Sequence, residues 1–577
     1  MVIILTLTTM SKIYIFLFLS SFLFAQDGSM NRQDRKYCSN FFLAEKYKML
    51  DDHDKALKKY LECTEIYPDE SSAYFEAAKI LFNNLNYDEA KEYAIRAAEI
   101  DPNNKWYLFF LTQLFRSQYD FEREAETWEK LILIDPTNIV YYFDCTIAYL
   151  ELGNFKKALK TLNTYEKEVG NNEDIILLKS KIYKDQGDKK KQVRSLQKGI
   201  DDLPKSILLL EELAKFYIQE SLYDLAHQTY EKIVKIDPNN STALLASYTI
   251  LNNKNKRDDS KKLLKKIIEN TNISEQKKQE IIYNIMISEE ELNFYYNDIS
   301  ILLESCISLY PNSSFFYSVL ADFYSLDQQY SLARDRYYQA LQIEKNSSVI
   351  WDRFIYMSLL QSNYNQAIID SDLAIEQFPL QGAFYYYKGV SQYYQKDYIN
   401  SVTTLNSGLL YIIDDNWLLT AVHETLGNAY HELAELDNSN EYHKKSDENY
   451  EKALQYSPQN EYILNNYSYY LSLRGENLEL AKDMIEKCLS ISKTPNPSFL
   501  DTYAWVLYKL ENYIEAEKMI KKCIEFGGDS AIIFEHYGDI LMAQGLKEQA
   551  IIQWNKALVK DPKNKDLEQK IFKSKND

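Results

Sequence analysis

The chain repeats itself with a period of about 34 residues. Helix-breaking residues stand at six consecutive positions of this period: Pro68, Pro102, Pro136, Gly170, Pro204 and Pro238. The pentapeptide IDPNN occurs at 100–104 and again, four periods later, at 236–240. A constant period of this length is typical of stacked supersecondary units, so the sequence predicts a repeat protein.

Small and large residues alternate inside each period. Twenty-four residues before each breaker the chain carries a small residue: Ala44, Ala78, Thr112, Thr146, Ser180 and Ala214. Twelve residues before each breaker it carries a mostly small set: Ala56, Ala90, Glu124, Ala158, Gln192 and Ala226. A large residue follows three positions after the first set: Tyr47, Leu81, Phe115, Tyr149, Tyr183 and Tyr217. Small residues let two helices approach and large ones fill the space between them, which predicts two helices per period.

This pattern resembles the tetratricopeptide repeat, a helix-turn-helix unit of about 34 residues. The resemblance is carried by YYFDCTIAYLELGNFKKALKTL at 141–162, with Gly153 and Asn154 at the turn. It is also carried by 532–562, where Gly538, Trp554 and Pro562 stand at the expected offsets. The resemblance implies an all-α, right-handed α-solenoid of about fifteen such units with a C-terminal capping helix.

The period also predicts the boundaries along the chain. We expect an N-terminal block of seven repeats at 37–272, an irregular repeat at 273–313 and a middle block at 314–413. A repeat with about seven inserted residues follows at 414–460, then a C-terminal block at 461–564 and a capping helix at 565–577. Leu567 and Ile571 lie four residues apart on that helix, as expected where it covers the last apolar face.

The N-terminus differs in character from the repeats. Lys12 precedes an apolar run at 13–24, which ends at Ala25 and is followed by polar residues. This order is typical of a signal peptide at 1–25, so we expect an exported bacterial protein, periplasmic or secreted, whose mature chain begins near Gln26. If translation begins at Met1, the apolar span reaches about 24 residues and is long enough to remain as a membrane anchor. Membrane contact is expected only in that case.

Exported proteins often contain disulfides. The positions of the cysteines in the repeat argue against disulfides in this chain. Four of them stand five residues before a repeat end: Cys63, Cys306, Cys488 and Cys523. The family prefers alanine there, and a buried cysteine behaves as a small apolar residue. We therefore predict that these four are buried and reduced.

Composition and motifs argue against several functions. The formal net charge of −19 disfavours nucleic acid as a partner. The chain contains no phosphate-binding loop, dinucleotide-binding motif or nucleophile elbow, so we expect no cofactor, no small-molecule substrate and no enzyme activity. The segment HELAE at 431–435 begins like a zinc-protease motif but lacks the second histidine, and we interpret His431 as a surface position and expect no metal site. An enzyme site hidden in the irregular repeats near 273–313 or 414–458 is the alternative.

The family resemblance implies that the first helix of each repeat lines a concave groove for peptides, with its fifth residue pointing inward. In the first four repeats this residue is a phenylalanine: Phe41, Phe75, Phe109 and Phe143. Tyr386, Tyr393 and Tyr394 would add aromatic surface further along. The phenylalanines are candidate groove residues, and the alternative is that they pack as core between helices.

We therefore predict a non-enzymatic scaffold of the cell envelope or periplasm that binds a peptide segment or helix of a protein partner. The alternative is a structural subunit of a larger envelope assembly, which would use its edges and convex face.

Overall fold

The computed structural model describes residues 31–576, and these form 31 α-helices and no strand. Thirty of these helices follow one another as fifteen helix-turn-helix pairs, and one further helix ends the chain. The prediction of an all-α solenoid of about fifteen repeats with a final helix is confirmed. The signal-peptide prediction for 1–25 lies outside the described residues. The contacts within the chain define two compact units, divided between Asn272 and Ile273.

The first unit contains seven helix pairs. They are α1 (Arg32–Met49) and α2 (His53–Ile66), α3 (Ser71–Asn83) and α4 (Tyr87–Ile100), α5 (Lys105–Ser117) and α6 (Phe121–Ile134), α7 (Ile139–Glu151) and α8 (Phe155–Glu168), α9 (Glu173–Asp185) and α10 (Lys189–Asp202), α11 (Ile207–Gln219) and α12 (Tyr223–Ile236), and α13 (Ser241–Asn253) and α14 (Arg257–Glu269).

The second unit contains eight pairs and the final helix. They are α15 (Glu275–Ile287) and α16 (Glu289–Leu309), α17 (Ser314–Leu326) and α18 (Tyr330–Ile343), α19 (Ser348–Leu360) and α20 (Tyr364–Gln377), α21 (Gly382–Tyr394) and α22 (Tyr398–Leu409), α23 (Asn416–Asp437) and α24 (Asn440–Tyr456), α25 (Glu461–Arg474) and α26 (Leu478–Ile491), α27 (Pro497–Lys509) and α28 (Tyr513–Glu525), α29 (Ala531–Ala543) and α30 (Lys547–Lys560), and α31 (Lys565–Asn576).

In the first unit a capping side chain stands at the start of most helices, at a constant place in the period. Side-chain oxygens cap the first helices from Asn104, Asn138, Asn172, Ser206 and Asn240. They cap the second helices from Asp52, Asp120, Asn154 and Asp188. Each cap satisfies a backbone N–H that has no partner inside its helix and stabilises the helix start by about 1 kcal/mol. These caps therefore help to fix where their helices begin.

The turn between the helices of a pair uses a left-handed residue at a constant position. In the first unit these residues are Asp51, Leu85, Tyr119, Gly153, Gly187, Ser221 and Asn255, all with φ between 56° and 71°. At Leu85, the amide of the following Asn86 donates to the carbonyl of Leu81 at 2.9 Å, and the amide of Leu85 donates to Phe82 at 3.0 Å. These bonds terminate α3 and turn the chain into α4.

Close packing between the two helices of a pair depends on the small residue in the first helix. A Cβ placed on Gly538 in α29 would lie 2.2 Å from the indole of Trp554 in α30. Trp554 is fully buried, and its Nε1 donates to Asp539 at 2.8 Å. The large ring therefore occupies the space that the glycine leaves.

Glu124 occupies a position where the period predicts a small residue. Its side chain is fully buried beside α5. The indole Nε1 of Trp128 donates to Glu124 Oε1 at 3.1 Å, and the guanidinium of Arg116 lies 2.7 Å from the same oxygen. A cation and a ring N–H thus offset the burial of the carboxylate.

The two irregular repeats accommodate their extra residues as longer helices. A regular pair such as α3 and α4 has helices of 13 and 14 residues. In contrast, α16 has 21, and α23 and α24 have 22 and 17. The pair α23–α24 closes at Asn438, which has φ 49°. We call the end of this pair, residues 431–443, the long hairpin.

The final helix and the repeat cysteines behave as expected. Leu567 and Ile571 on α31 join the apolar cluster of the last repeats. The predicted burial is confirmed for Cys63, Cys306, Cys488 and Cys523, and all six cysteines of the chain are free. Within 31–576, none of the helices has the length and apolar character required to cross a bilayer.

Candidate protein-interaction surface

The first helices of successive pairs lie side by side within each unit. In the first unit α9 contacts α11, and in the second α15 contacts α17, α19 contacts α21, α21 contacts α23, α25 contacts α27 and α27 contacts α29. Side chains on this side of the first helices therefore form a continuous surface across neighbouring repeats. We call it the first-helix face.

The four predicted phenylalanines of the first unit are partly covered by their neighbours. The ring of Phe41 meets Tyr60 edge-on at 5.5 Å. Phe75 lies 4.6 Å from the ring of Tyr107, and Phe143 is half-buried against the core. Phe109 is 37% exposed and the most open of the four. These contacts give the rings a share in the packing, and their role in binding a partner stays a prediction.

The three predicted tyrosines of the second unit all lie on α21 and each contacts other aromatic rings. Tyr386 and Tyr393 are half-buried, whereas Tyr394 is 57% exposed. The rings of Tyr393 and Tyr394 lie 5.4 Å apart, and Tyr364 stacks on Tyr394 at 5.0 Å. Trp417, which is 68% exposed, meets Tyr386 edge-on at 6.3 Å. The structure therefore places Tyr393 and Tyr394 in one group of rings and Tyr386 in another with Trp417, on the same helix.

The carboxylate of Glu424 lies beside these tyrosines. Glu424 is half-buried, and burial raises the pKa of its carboxyl above the ordinary value. Burial raises the pKa of Tyr386 to about 12, and the charge of Glu424 adds to this shift. The same charge acts on Tyr394 and Tyr470. In 31–576, no lysine or arginine forms an ion pair with Glu424. We call Tyr386, Tyr393, Tyr394, Tyr470 and Glu424 the tyrosine–Glu424 surface.

Sequence reasoning missed Glu424, although a signal was present. Glu424 stands three residues before the small residue Gly427. Phe41 likewise stands three residues before the small residue of the first repeat, so the two positions are equivalent. In other repeats of the second unit an acid takes this place, and each has a partner: Asp352 accepts from the hydroxyl of Tyr387, Asp501 bonds Nδ1 of His536, and Glu535 pairs with Lys570. Glu424 differs because its carboxylate has neither a hydrogen bond nor an ion pair within 31–576.

The interpretation of His431 as a surface position is wrong. Its side chain is only 4% exposed, because the ring of Tyr470 on α25 stacks over it at 3.7 Å. Two other possible metal ligands, Glu435 and His443, lie close to it on the long hairpin. The third ligand that the HELAE segment lacks in sequence thus comes from the neighbouring helix.

Comparison with known families supports the repeat assignment. A family model of the tetratricopeptide repeat matches residues 71–104 and 209–240. The match supports tetratricopeptide repeats in these two segments. They coincide with α3–α4 and α11–α12, and tetratricopeptide repeats support a protein–protein interaction scaffold of a generally non-catalytic kind. No curated protein matches the chain.

Several solved structures align with most of the chain at low identity. Naa15/Naa10 bound to HypK-THB is 14% identical over 92% of this chain and 89% of its own, with a TM-score of 0.30. The anaphase-promoting complex tetramer Cut9–Hcn1 is 12% identical over 94% and 96%, with a TM-score of 0.29. Yeast Tom70 is 14% identical over 88% and 95%, with a TM-score of 0.29.

Proposed function

We propose that the protein is an exported scaffold that holds a cationic segment of a protein partner on the tyrosine–Glu424 surface. The observation that carries this proposal is the half-buried carboxylate of Glu424, whose charge acts on Tyr386, Tyr394 and Tyr470 and which forms no ion pair with a lysine or arginine within 31–576.

Physical chemistry favours a lysine or arginine side chain as the occupant. A partly desolvated carboxylate is stabilised when a cation approaches, because charge pairing offsets the loss of hydration. The faces of tyrosine rings attract the same cation through their quadrupoles. One lysine or arginine of a bound segment would satisfy both, while the net charge of −19 would favour the approach of a basic partner.

The first-helix face of the first unit is a second part of the proposal. Phe109 is exposed at 37%, and Phe75 carries the ammonium of Lys79 4.9 Å from its ring centroid. These rings offer apolar contact area to a segment of a partner, as expected for a peptide-binding groove.

Export is proposed from the sequence alone. The order of Lys12, the apolar run 13–24 and Ala25 supports cleavage near Gln26 and a place in the periplasm or cell envelope. We expect the intact mass of the native protein, purified from an exported fraction, to match a chain that begins near Gln26. A cytosolic chain that retains Met10 would contradict export.

Site-specific crosslinking in the native cell tests the interaction surface. A photoreactive residue at Tyr394 should form a covalent adduct with a protein partner. The same residue at Leu373, which is 49% exposed on the second helix α20, is the control and should not. Equal crosslinking from both positions would favour contacts through the convex face, and no adduct at Tyr394 would contradict the proposal.

The captured partner then permits a charge test. Glu424→Gln should weaken its binding about tenfold or more, because a desolvated ion pair is lost. Glu376→Gln removes the same charge from an exposed position on α20 and should leave the affinity unchanged. Binding should also weaken as salt increases. Equal affinities for the wild type and Glu424→Gln would show that Glu424 does not bind the partner.

A further inference from the structure

The long hairpin places three metal-ligating side chains together. His431 and Glu435 stand one turn apart on α23, and His443 faces them from α24. One ligand atom from each lies within 4.8 Å of the other two. The Nε2 atom of His443 is 3.7 Å from the Glu435 carboxylate, and the two imidazole ring centroids are 6.0 Å apart. No other group of three such ligands occurs in 31–576.

The two histidines are held in place by their surroundings. His431 is buried against Tyr470, and its Nδ1 has no hydrogen-bond partner among the described residues. A buried ring nitrogen that takes part in no hydrogen bond is available to a cation. An oriented neutral imidazole is a common metal ligand.

The guanidinium of Arg474 opposes a cation at this site. Its Nη1 lies 3.3 Å from Nδ1 of His443, and since a guanidinium only donates, this Nδ1 accepts and the proton is on Nε2. Metal ligation through Nε2 moves that proton to Nδ1 and costs this hydrogen bond. Arg474 keeps its two bonds to Asp447 at 2.7 and 2.8 Å and its bond to Glu476 at 3.1 Å. Its charge is therefore already offset by two carboxylates.

We propose that His431, Glu435 and His443 bind one Zn²⁺ ion, which joins α23 to α24 at the end of the long hairpin. Two imidazoles and a carboxylate suit zinc, with solvent in the fourth position. Zinc binding requires the three ligand atoms to move closer to a common point. Glu435 is 58% exposed, so its flexible side chain can move toward the histidines. The site lies at the end of the pair that the seven or so inserted residues lengthen. The proposal does not depend on the identity of the partner.

Calorimetric titration with ZnCl₂ tests the site. The mature full-length chain, without a polyhistidine tag and after treatment with a chelator, should bind one zinc ion per molecule. Glu435→Gln and His443→Gln should each weaken binding about tenfold or more. Circular dichroism without zinc checks that both variants keep their helices.

The chain offers a matched control in the first unit. His227 and Glu231 on α12 form a similar pair one turn apart, with 3.7 Å between Nε2 and the carboxylate, but without a third ligand. Glu231→Gln should bind zinc like the wild type. The proposal is overturned if the wild type shows no saturable binding, if Glu435→Gln and His443→Gln bind as tightly as the wild type, or if Glu231→Gln loses binding equally.

Discussion

Replacing Leu85 by glycine should stabilise the repeat formed by α3 and α4. Leu85 has φ 62° and is 70% exposed, so its side chain contributes little burial while its Cβ makes the left-handed backbone unfavourable. That strain destabilises the folded state by about 1–2 kcal/mol. Glycine also raises the conformational entropy of the unfolded chain, which reduces the gain in stability by about 0.4–1 kcal/mol. The expected net gain is about 0.5–1 kcal/mol. The reciprocal change Gly153→Leu, at φ 66° with no atom within 4 Å of the added Cβ, should destabilise its own repeat by a similar amount.

Hydrogen exchange on the full chain measures both changes locally. Exchange of the amides in α3 and α4 should slow about two- to fivefold in Leu85→Gly, and exchange in α7 and α8 should accelerate similarly in Gly153→Leu. Leu85→Ala is the control, because it removes the exposed side chain but keeps the Cβ, and it should bring no gain. If Leu85→Ala stabilises as much as Leu85→Gly, the backbone explanation is wrong.

Three further changes test the packing. Gly538→Ala should destabilise the last repeats by about 1–3 kcal/mol in urea unfolding, because its Cβ would overlap Trp554; Gly427→Ala, with 3.0 Å to the nearest ring atom, should cost less. Phe75→Ala should lower the local stability measured by hydrogen exchange by about 2–3 kcal/mol, which is less than the cost of removing a fully buried ring. No loss of stability would mean that the ring is free to contact a partner. In the native protein iodoacetamide should modify Cys38 faster than the five buried cysteines, because burial raises the pKa of each of these five thiols to about 12. Equal rates for all six would contradict the burial of the five.

The sequence predicts the helix pairs well because each is specified locally. Breakers, caps and small residues recur at fixed offsets, and each acts on its own repeat or the next. The left-handed turn at Leu85 was not predictable from residue type, since the hydrogen bonds that end α3 impose it on whatever residue stands there. His431 was misplaced because its cover, Tyr470, comes from the next repeat. Glu424 was missed because its offset carries phenylalanine in the first repeats, and the period alone does not distinguish an aromatic position from a charged one.

Packing between adjacent pairs also bears on how the gene for such a chain can change. Within each unit, an inner pair presents one side to the pair before it and the other to the pair after it, and capping residues belong to the same period as the pair that they cap. Duplication of one period of coding sequence would therefore insert a segment that already carries its own start, turn and end. Such duplication would leave identical segments in register, like the two copies of IDPNN, and an insertion confined to one pair, like that in α23–α24, would let a single repeat change while the others keep their register.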